Sequence, residues 1–247
     1  MQALHSCTAV KVAGRVASAG ALRIECCDDA KAAERATCDY LHTCLSQVVL
    51  AHGTARLAVA GGSVLPVLQL LHARAPGLWA TLALTFVDER LVAHADAQSN
   101  YGTAMRLGAL SAPAPLRCLA LLHDDELAQP SHALARVNAE LEHGFAAALD
   151  ITLLGLGEDG HIASLFPDRR WDEGEARVLC VEHSPKPPSG RITLSRSFIA
   201  TARTHIVFAV GNAKRAAIAR LLAQDARLPL TGLADVVLFT DIGMHNK

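Results

Sequence analysis

Three times in this chain a short apolar run, too brief for a helix, breaks directly into glycine. Residues 57–60 run into Gly61-Gly62-Ser63, 151–154 into Gly155-Leu156-Gly157, and 205–210 into Gly211. Runs of this length bounded by glycine read as buried strands. The glycines let the backbone turn sharply or come close to a ligand. Segments with helical spacing and helix-forming residues follow or separate these runs, at 30–51, 64–75, 131–149 and 212–223. Further strands are expected at 22–26, 81–87, 116–122, 176–181 and 236–240. Alternating buried strands and helices specify an α/β domain with a parallel sheet. No internal repeat, low-complexity tract or linker divides the chain. Residues 22–247 are therefore expected to form one domain, preceded by a frayed terminal extension at 1–21.

Composition removes several functional classes. The chain has 247 residues, of which 51% are hydrophobic and 4% aromatic, and its net charge is -1. That balance offers no basic face for nucleic acid or an acidic membrane surface. No apolar run approaches the ~20 residues of a membrane span. The seven cysteines are odd in number and include no Cys-x-x-Cys pair, so reduced thiols and a cytoplasmic location are expected. The histidines lack a metal-ligand spacing such as His-x-x-x-His. The Gly61-Gly62-Ser63 loop is neither the dinucleotide Gly-x-Gly-x-x-Gly fingerprint nor a Walker loop, so no nicotinamide or ATP site is expected, and no metal or other cofactor.

The loops behind the strands carry the candidate chemistry. Gly61, Gly62 and Ser63 lie between a strand and a helix whose first turn holds Pro66. Exposed backbone N–H groups, a hydroxyl and a helix N-terminus together make an anion site. The strand at 81–87 ends in Asp88-Glu89-Arg90, and Ser99-Asn100-Tyr101-Gly102 introduces the next helix. Behind 151–154 comes Gly155-Leu156-Gly157-Glu158-Asp159-Gly160-His161, followed by Ile162-Ala163-Ser164-Leu165-Phe166-Pro167. His161 is a titratable group at the carboxyl end of a strand, where ligands bind in open α/β sheets. Asp159 is close enough in sequence to orient His161 or to cap a following helix. A rigid loop at 183–190 holds three prolines and Lys186, and Arg191 and Thr193 follow it. Lys214 opposes the dipole of the helix it opens, which makes sense where a cation there meets an anion.

The His161 string resembles the signature of the 6-phosphogluconolactonases, within the superfamily that includes the glucosamine-6-phosphate deaminases. The ordered set Gly61-Gly62-Ser63, Asp88-Glu89-Arg90, Ser99-Asn100, Lys186-Pro187-Pro188, Arg191 and Gly211-x-x-Lys214 is similar to the same family. Arg90 in the acid–acid–arginine triplet is typical of the lactonase branch. The resemblance implies a doubly wound, mostly parallel sheet with helices on both faces. It implies hydrolysis of 6-phosphoglucono-1,5-lactone, a small-molecule substrate, by a monomer or small homo-oligomer. His161 is then the general base, Asp159 its neighbour, and Arg90 a group for the oxyanion or the phosphate. Gly61, Gly62, Ser63, Asp88, Asn100, Arg191 and Lys214 become candidates for binding the substrate and its phosphate.

The first loop departs from the family's usual Ser-Gly-Gly-Ser-Thr-Pro. It places Ala60 and Val64 where hydroxyls are common and moves the proline one position, to Pro66. The alternatives are a deaminase/isomerase of the same superfamily and a non-catalytic sugar-phosphate sensor. The deaminases carry an acid shortly after their histidine, whereas no acid occurs here between His161 and Asp168.

Overall fold

The computed structural model describes residues 8–11, 22–167, 169, 171 and 176–243. In chain order the elements are β1 (Thr8–Lys11), β2 (Leu22–Cys26), α1 (Ala30–His52), β3 (Ala55–Val59), α2 (Leu65–Arg74), α3 (Pro76–Trp79), β4 (Leu82–Phe86), β5 (Asp88–Arg90) and α4 (Asn100–Arg106). They continue with β6 (Arg117–Leu119), α5 (Pro130–Gly144), β7 (Ile151–Gly155), β8 (Val178–Val181), β9 (Arg191–Leu194), α6 (Arg196–Ile199), β10 (Thr204–Phe208), α7 (Arg215–Leu222) and β11 (Val236–Thr240). Eight strands form one sheet in the order β1-β2-β11-β10-β7-β3-β4-β6. Only the β1–β2 pair is antiparallel; the other pairs are parallel. This is the doubly wound, mostly parallel α/β fold expected from the sequence. Beyond β1, the extension at 1–21 lies outside the described residues.

The topology locates a crevice. From β3 the chain adds β4 and β6 in one direction across the sheet, and from β7 it adds β10 and β11 in the other. The direction reverses between β3 and β7, which are hydrogen-bonded neighbours. Right-handed crossovers then put the connecting helices on opposite faces, and the loops behind β3 and β7 part at their carboxyl ends. At the amino ends the same two strands are clasped. Arg56 donates through its backbone N–H and Nε to Asp150 Oδ2 at 2.8 and 2.9 Å, and through Nη2 to Oδ1 at 2.7 Å. Burial alone would raise the Asp150 carboxyl, but the Arg56 bonds outweigh it and hold it below the usual range.

Local sequence explains most boundaries. β4 and β11 are buried at every position, the continuous apolar pattern of interior parallel strands. Asp29 caps α1 by accepting from the Ala32 N–H at 2.7 Å, and Gly53 ends the helix in a left-handed conformation, φ 79°. The helix expected at 131–149 runs instead from Pro130 to Gly144, because the proline fits the first turn and Ser131 makes no cap. The strand expected at 116–122 shortens to Arg117–Leu119.

A second sheet, β5-β9-β8, is antiparallel and has no apolar signature in β5, whose residues are Asp88, Glu89 and Arg90. Its register sets Asp88 opposite Thr193 and Arg90 opposite Arg191. Since alternate strand residues share a face, these four side chains lie on one side, with Glu89 and Ile192 on the other.

Buried in the middle of the large sheet, His205 on β10 is 0% exposed. Its Nδ1 meets Thr152 Oγ1 at 2.8 Å, and its Nε2 has no partner. Burial lowers its pKa to about 4, with Asp235 pulling the other way. The folded protein resists a proton that the unfolded chain accepts near pH 6.5, so stability should fall as pH drops from about 6.5 toward 4. The full effect is about 3 kcal/mol. Denaturant unfolding at pH 7 and pH 5 is expected to show this loss, and His205→Gln is expected to reduce it. An equal slope in the variant would assign the loss to other groups.

Candidate active site

The loop behind β7 folds back on itself through its glycines. The Gly157 N–H donates to the His161 carbonyl at 2.8 Å, and the Gly160 N–H to the Gly157 carbonyl at 3.0 Å. Gly160 takes φ +94°, and a Cβ there would lie 2.4 Å from Leu228 Cδ2. A Cβ on Gly157 would fall 2.0 Å from His161 Nδ1 and 2.5 Å from Asp159 Oδ1. Both side chains therefore curl over the space left by that missing methyl group. There they meet, with His161 Nδ1 2.5 Å from Asp159 Oδ1. The ring also lies against Phe166, with centroids 4.8 Å apart and planes at 35°. Arg220 on α7 donates to the Asp159 carbonyl at 2.8 Å and so braces the turn from behind.

The electrostatics fix the tautomer. Burial alone would raise the Asp159 carboxyl, but the hydrogen bond and charge of His161, with help from Lys186, bring it below its ordinary value. An ionised carboxylate only accepts, so the shared proton sits on His161 Nδ1 and the lone pair on Nε2. Burial lowers the His161 pKa, Asp159 opposes this, and Lys186 reinforces it. The imidazole is thus held neutral near pH 7, with a basic nitrogen available. The 162–166 segment is a turn with an Ile162–Leu165 bridge, not a helix, so Asp159 has no following helix to cap.

A second cluster surrounds Asp88, only 4% exposed. Ser164 Oγ donates to its Oδ2 at 2.7 Å, Asn100 Nδ2 donates to its carbonyl at 2.8 Å, and Arg191 Nη1 lies 3.8 Å from Oδ2. Asn100 in turn abuts Gly61, where a Cβ would lie 1.8 Å from Asn100 Oδ1. The structure therefore brings Gly61, Asn100, Asp88, Ser164 and Arg191 into one contiguous group. Glu89, 1% exposed, works on the opposite face. It accepts from the N–H groups of Arg90, Asn100 and Tyr101 at 2.8 Å each, capping α4.

Cations at the site differ in their freedom. Arg191 is spent: Nε donates to the Pro188 carbonyl at 3.2 Å, and Nη2 to those of Lys186 and Pro187 at 3.0 and 3.2 Å. The expected phosphate clamp thus has a guanidinium already engaged with backbone. Arg90 donates one bond, from Nη1 to the Gln98 carbonyl at 2.6 Å, and its buried Nε has no partner. Neither Arg90 nor Lys214 forms an ion pair among the described residues. Lys214 closes a 3-10 turn, Asn212–Lys214, that precedes α7. Its loop stands behind β10, next to the His161 loop behind β7, with the Gly61-Gly62-Ser63 loop one strand further along behind β3. Among the described residues, no side-chain hydrogen bond or ion pair joins Lys214 or Ser63 to the other candidates. Val64 is buried, with Cγ2 3.5 Å from the Cβ position of Gly155, so this departure packs the loop instead of lining the crevice.

Sequence reasoning assigned no role to Ser164, Phe166, Lys186, Glu89 or Arg220. The first two lie inside the His161 string and Lys186 inside the proline loop, whereas Arg220 carries no local signal. Among the described residues no group of three or more His, Cys, Asp or Glu is arranged to hold a metal, and no helix is long and apolar enough to cross a membrane.

Comparison with known proteins gives concordant matches. Residues 28–238 match the family model for glucosamine-6-phosphate isomerases/6-phosphogluconolactonase. Human 6-phosphogluconolactonase is 34% identical over 183 residues, which cover 70% of each chain. The bovine 6-phosphogluconolactonase is 35% identical over 184 residues, again 70% of each. The crystal structure of a 6-phosphogluconolactonase from Shewanella baltica superposes with a TM-score of 0.74 at 26% identity, covering 88% of this chain and 97% of that one.

A structure of the Gly157→Ala variant is expected to show the His161 ring displaced from Asp159. An intact 2.5 Å contact would mean that the turn yields instead.

Proposed function

The chain belongs to the glucosamine-6-phosphate isomerase/6-phosphogluconolactonase family, and on that premise we propose that it hydrolyses 6-phosphoglucono-1,5-lactone to 6-phosphogluconate. The observation that carries the mechanism is the 2.5 Å contact between His161 Nδ1 and the ionised Asp159, which leaves Nε2 as a base. A water in the crevice loses a proton to Nε2 as its oxygen bonds to the lactone carbonyl carbon. The carbonyl π pair moves onto oxygen, and Asp159 stabilises the imidazolium that forms. The tetrahedral intermediate collapses with cleavage of the bond to the ring oxygen. His161 returns its proton to that oxygen, which becomes a hydroxyl, and the new carboxylic acid ionises.

Charge at the two ends of the substrate is met by the two cations without acid partners. Lys214, with the backbone N–H groups of Gly62 and Ser63, binds the phosphate at the helix end. Arg90, whose guanidinium makes one hydrogen bond within the protein, from Nη1, stabilises the carbonyl oxygen as it gains charge. Asp88, Asn100 and Arg191 serve the site by holding its loops. A cytoplasmic location fits the free thiols of Cys38, Cys44, Cys118 and Cys180, and the protein acts as a monomer or small homo-oligomer.

The test is hydrolysis of freshly prepared lactone, followed through 6-phosphogluconate and corrected for the spontaneous rate. Saturable turnover is expected, with kcat reduced ~100-fold or more in His161→Ala. A background rate from folded protein, together with ammonia release from glucosamine 6-phosphate, would transfer the site to the deaminase reading. Lys214→Ala is expected to raise KM by ~10-fold or more, the loss of a charge-assisted bond of roughly 1.5–3 kcal/mol. Arg90→Ala is expected to act on kcat instead. The reverse pattern would mean that the substrate binds in the opposite orientation.

A further inference from the structure

One cation in the crevice has no part in the reaction as written. Lys186 reaches from the loop between β8 and β9, and its Nζ lies 3.6 Å from Asp159 Oδ1, the same oxygen that bonds His161. The loop that carries it is firmly held. Ser184 Oγ donates to the Lys186 carbonyl at 2.8 Å and accepts from the Lys186 N–H at 3.2 Å. Buried Arg191, 4% exposed, grips the carbonyls of Lys186, Pro187 and Pro188. A guanidinium desolvated to that degree would not be spent on three carbonyls of an idle surface loop without some return in position.

We propose that Lys186 is a positioning residue for the His161–Asp159 pair: its ammonium, delivered by the loop that Arg191 pins, keeps the carboxylate ionised and the imidazole neutral. The inference rests on the reading of His161 as the base. The charged groups that face His161 are few. Asp159 comes from its own loop and Asp88 from β5, and both favour the imidazolium; Lys186 is the opposing charge. Arg220 bonds the Asp159 backbone carbonyl, on the far side of the turn. Without Lys186 burial alone would oppose Asp159 and Asp88, and a larger fraction of His161 would carry the proton that keeps it from accepting one from water. The ammonium also makes the imidazolium formed during attack a stronger acid, which helps it return the proton to the departing ring oxygen.

The test is the titration of the His161 imidazole by NMR in the wild type, Lys186→Met and Lys186→Arg. The Lys186 side chain is 42% exposed, so solvent screens its charge. Lys186→Met is expected to raise the His161 midpoint by roughly 0.5–1 pH unit, and the acid limb of kcat/KM should move with it. Lys186→Arg is expected to stay near the wild type. An unmoved midpoint in Lys186→Met would overturn the proposal, as would an equal rise in Lys186→Arg, which would trace the effect to packing and not charge. The titration reads the pair whether or not lactone is consumed. A raised midpoint in a protein that does not hydrolyse lactone would keep this inference and remove the proposed substrate.

Discussion

A carboxylate taken almost wholly out of water must be surrounded by donors or give up its charge. Asp88 meets that demand by drawing on separate parts of the chain: Ser164 from the His161 loop, Asn100 from the start of α4 and Arg191 from β9. Asn100 passes the constraint on to Gly61, whose missing side chain lets the two touch. The loops that carry the candidate base, the candidate anion site and the proline loop are therefore not independent. They are referred to one buried group at the end of β4. At the other end of the sheet, Arg56 and Asp150 clasp β3 to β7. The two strands at the reversal point are thus tied at their amino ends and separate toward the crevice.

The arrangement of charge follows from this scaffold. Acids in the crevice are paired: Asp88 with its donors, Glu89 with the N-terminus of α4, Asp159 with His161 and Lys186. Arg90 and Lys214 keep their charges without acid partners. A cleft with an excess of uncommitted cations and one neutral base suits an anionic ester, for which proton transfer and charge stabilisation are the main needs. The base owes its state to opposing effects. Burial and Lys186 disfavour the imidazolium, while Asp159 and Asp88 favour it.

Much of the fold was legible in the sequence because parallel strands are buried on both faces and announce themselves as apolar runs. The expected strands at 22–26 and 236–240 match β2 and β11 at both ends. The helix expected at 30–51 matches α1 to within a residue, and cap chemistry at Asp29 and Gly53 sets its ends. Of the second sheet only β8 was legible, within the strand expected at 176–181. Its strand β5 consists of charged residues whose burial depends on partners distant in sequence, and a period of two cannot be seen in three residues. In the candidate site, the proximity of Asp159 to His161 was readable from their spacing, but the choice between orienting and capping was not. It required knowing that 162–166 turns instead of forming a helix. Arg191 was expected at the phosphate because the family resemblance implied it there. The carbonyls of 186–188 that engage it become visible only once the chain has folded back.

The claim on which the account rests is that neutral His161, its basicity lowered by burial, takes the proton from water. The most direct measurement is the pH dependence of kcat/KM for lactone hydrolysis by the wild-type protein, corrected at each pH for the spontaneous reaction. The account predicts one acid limb, with a midpoint below the ordinary histidine value of about 6.5, and activity that persists above it. A midpoint above that value, or activity that grows as the solution is made acidic, would contradict it.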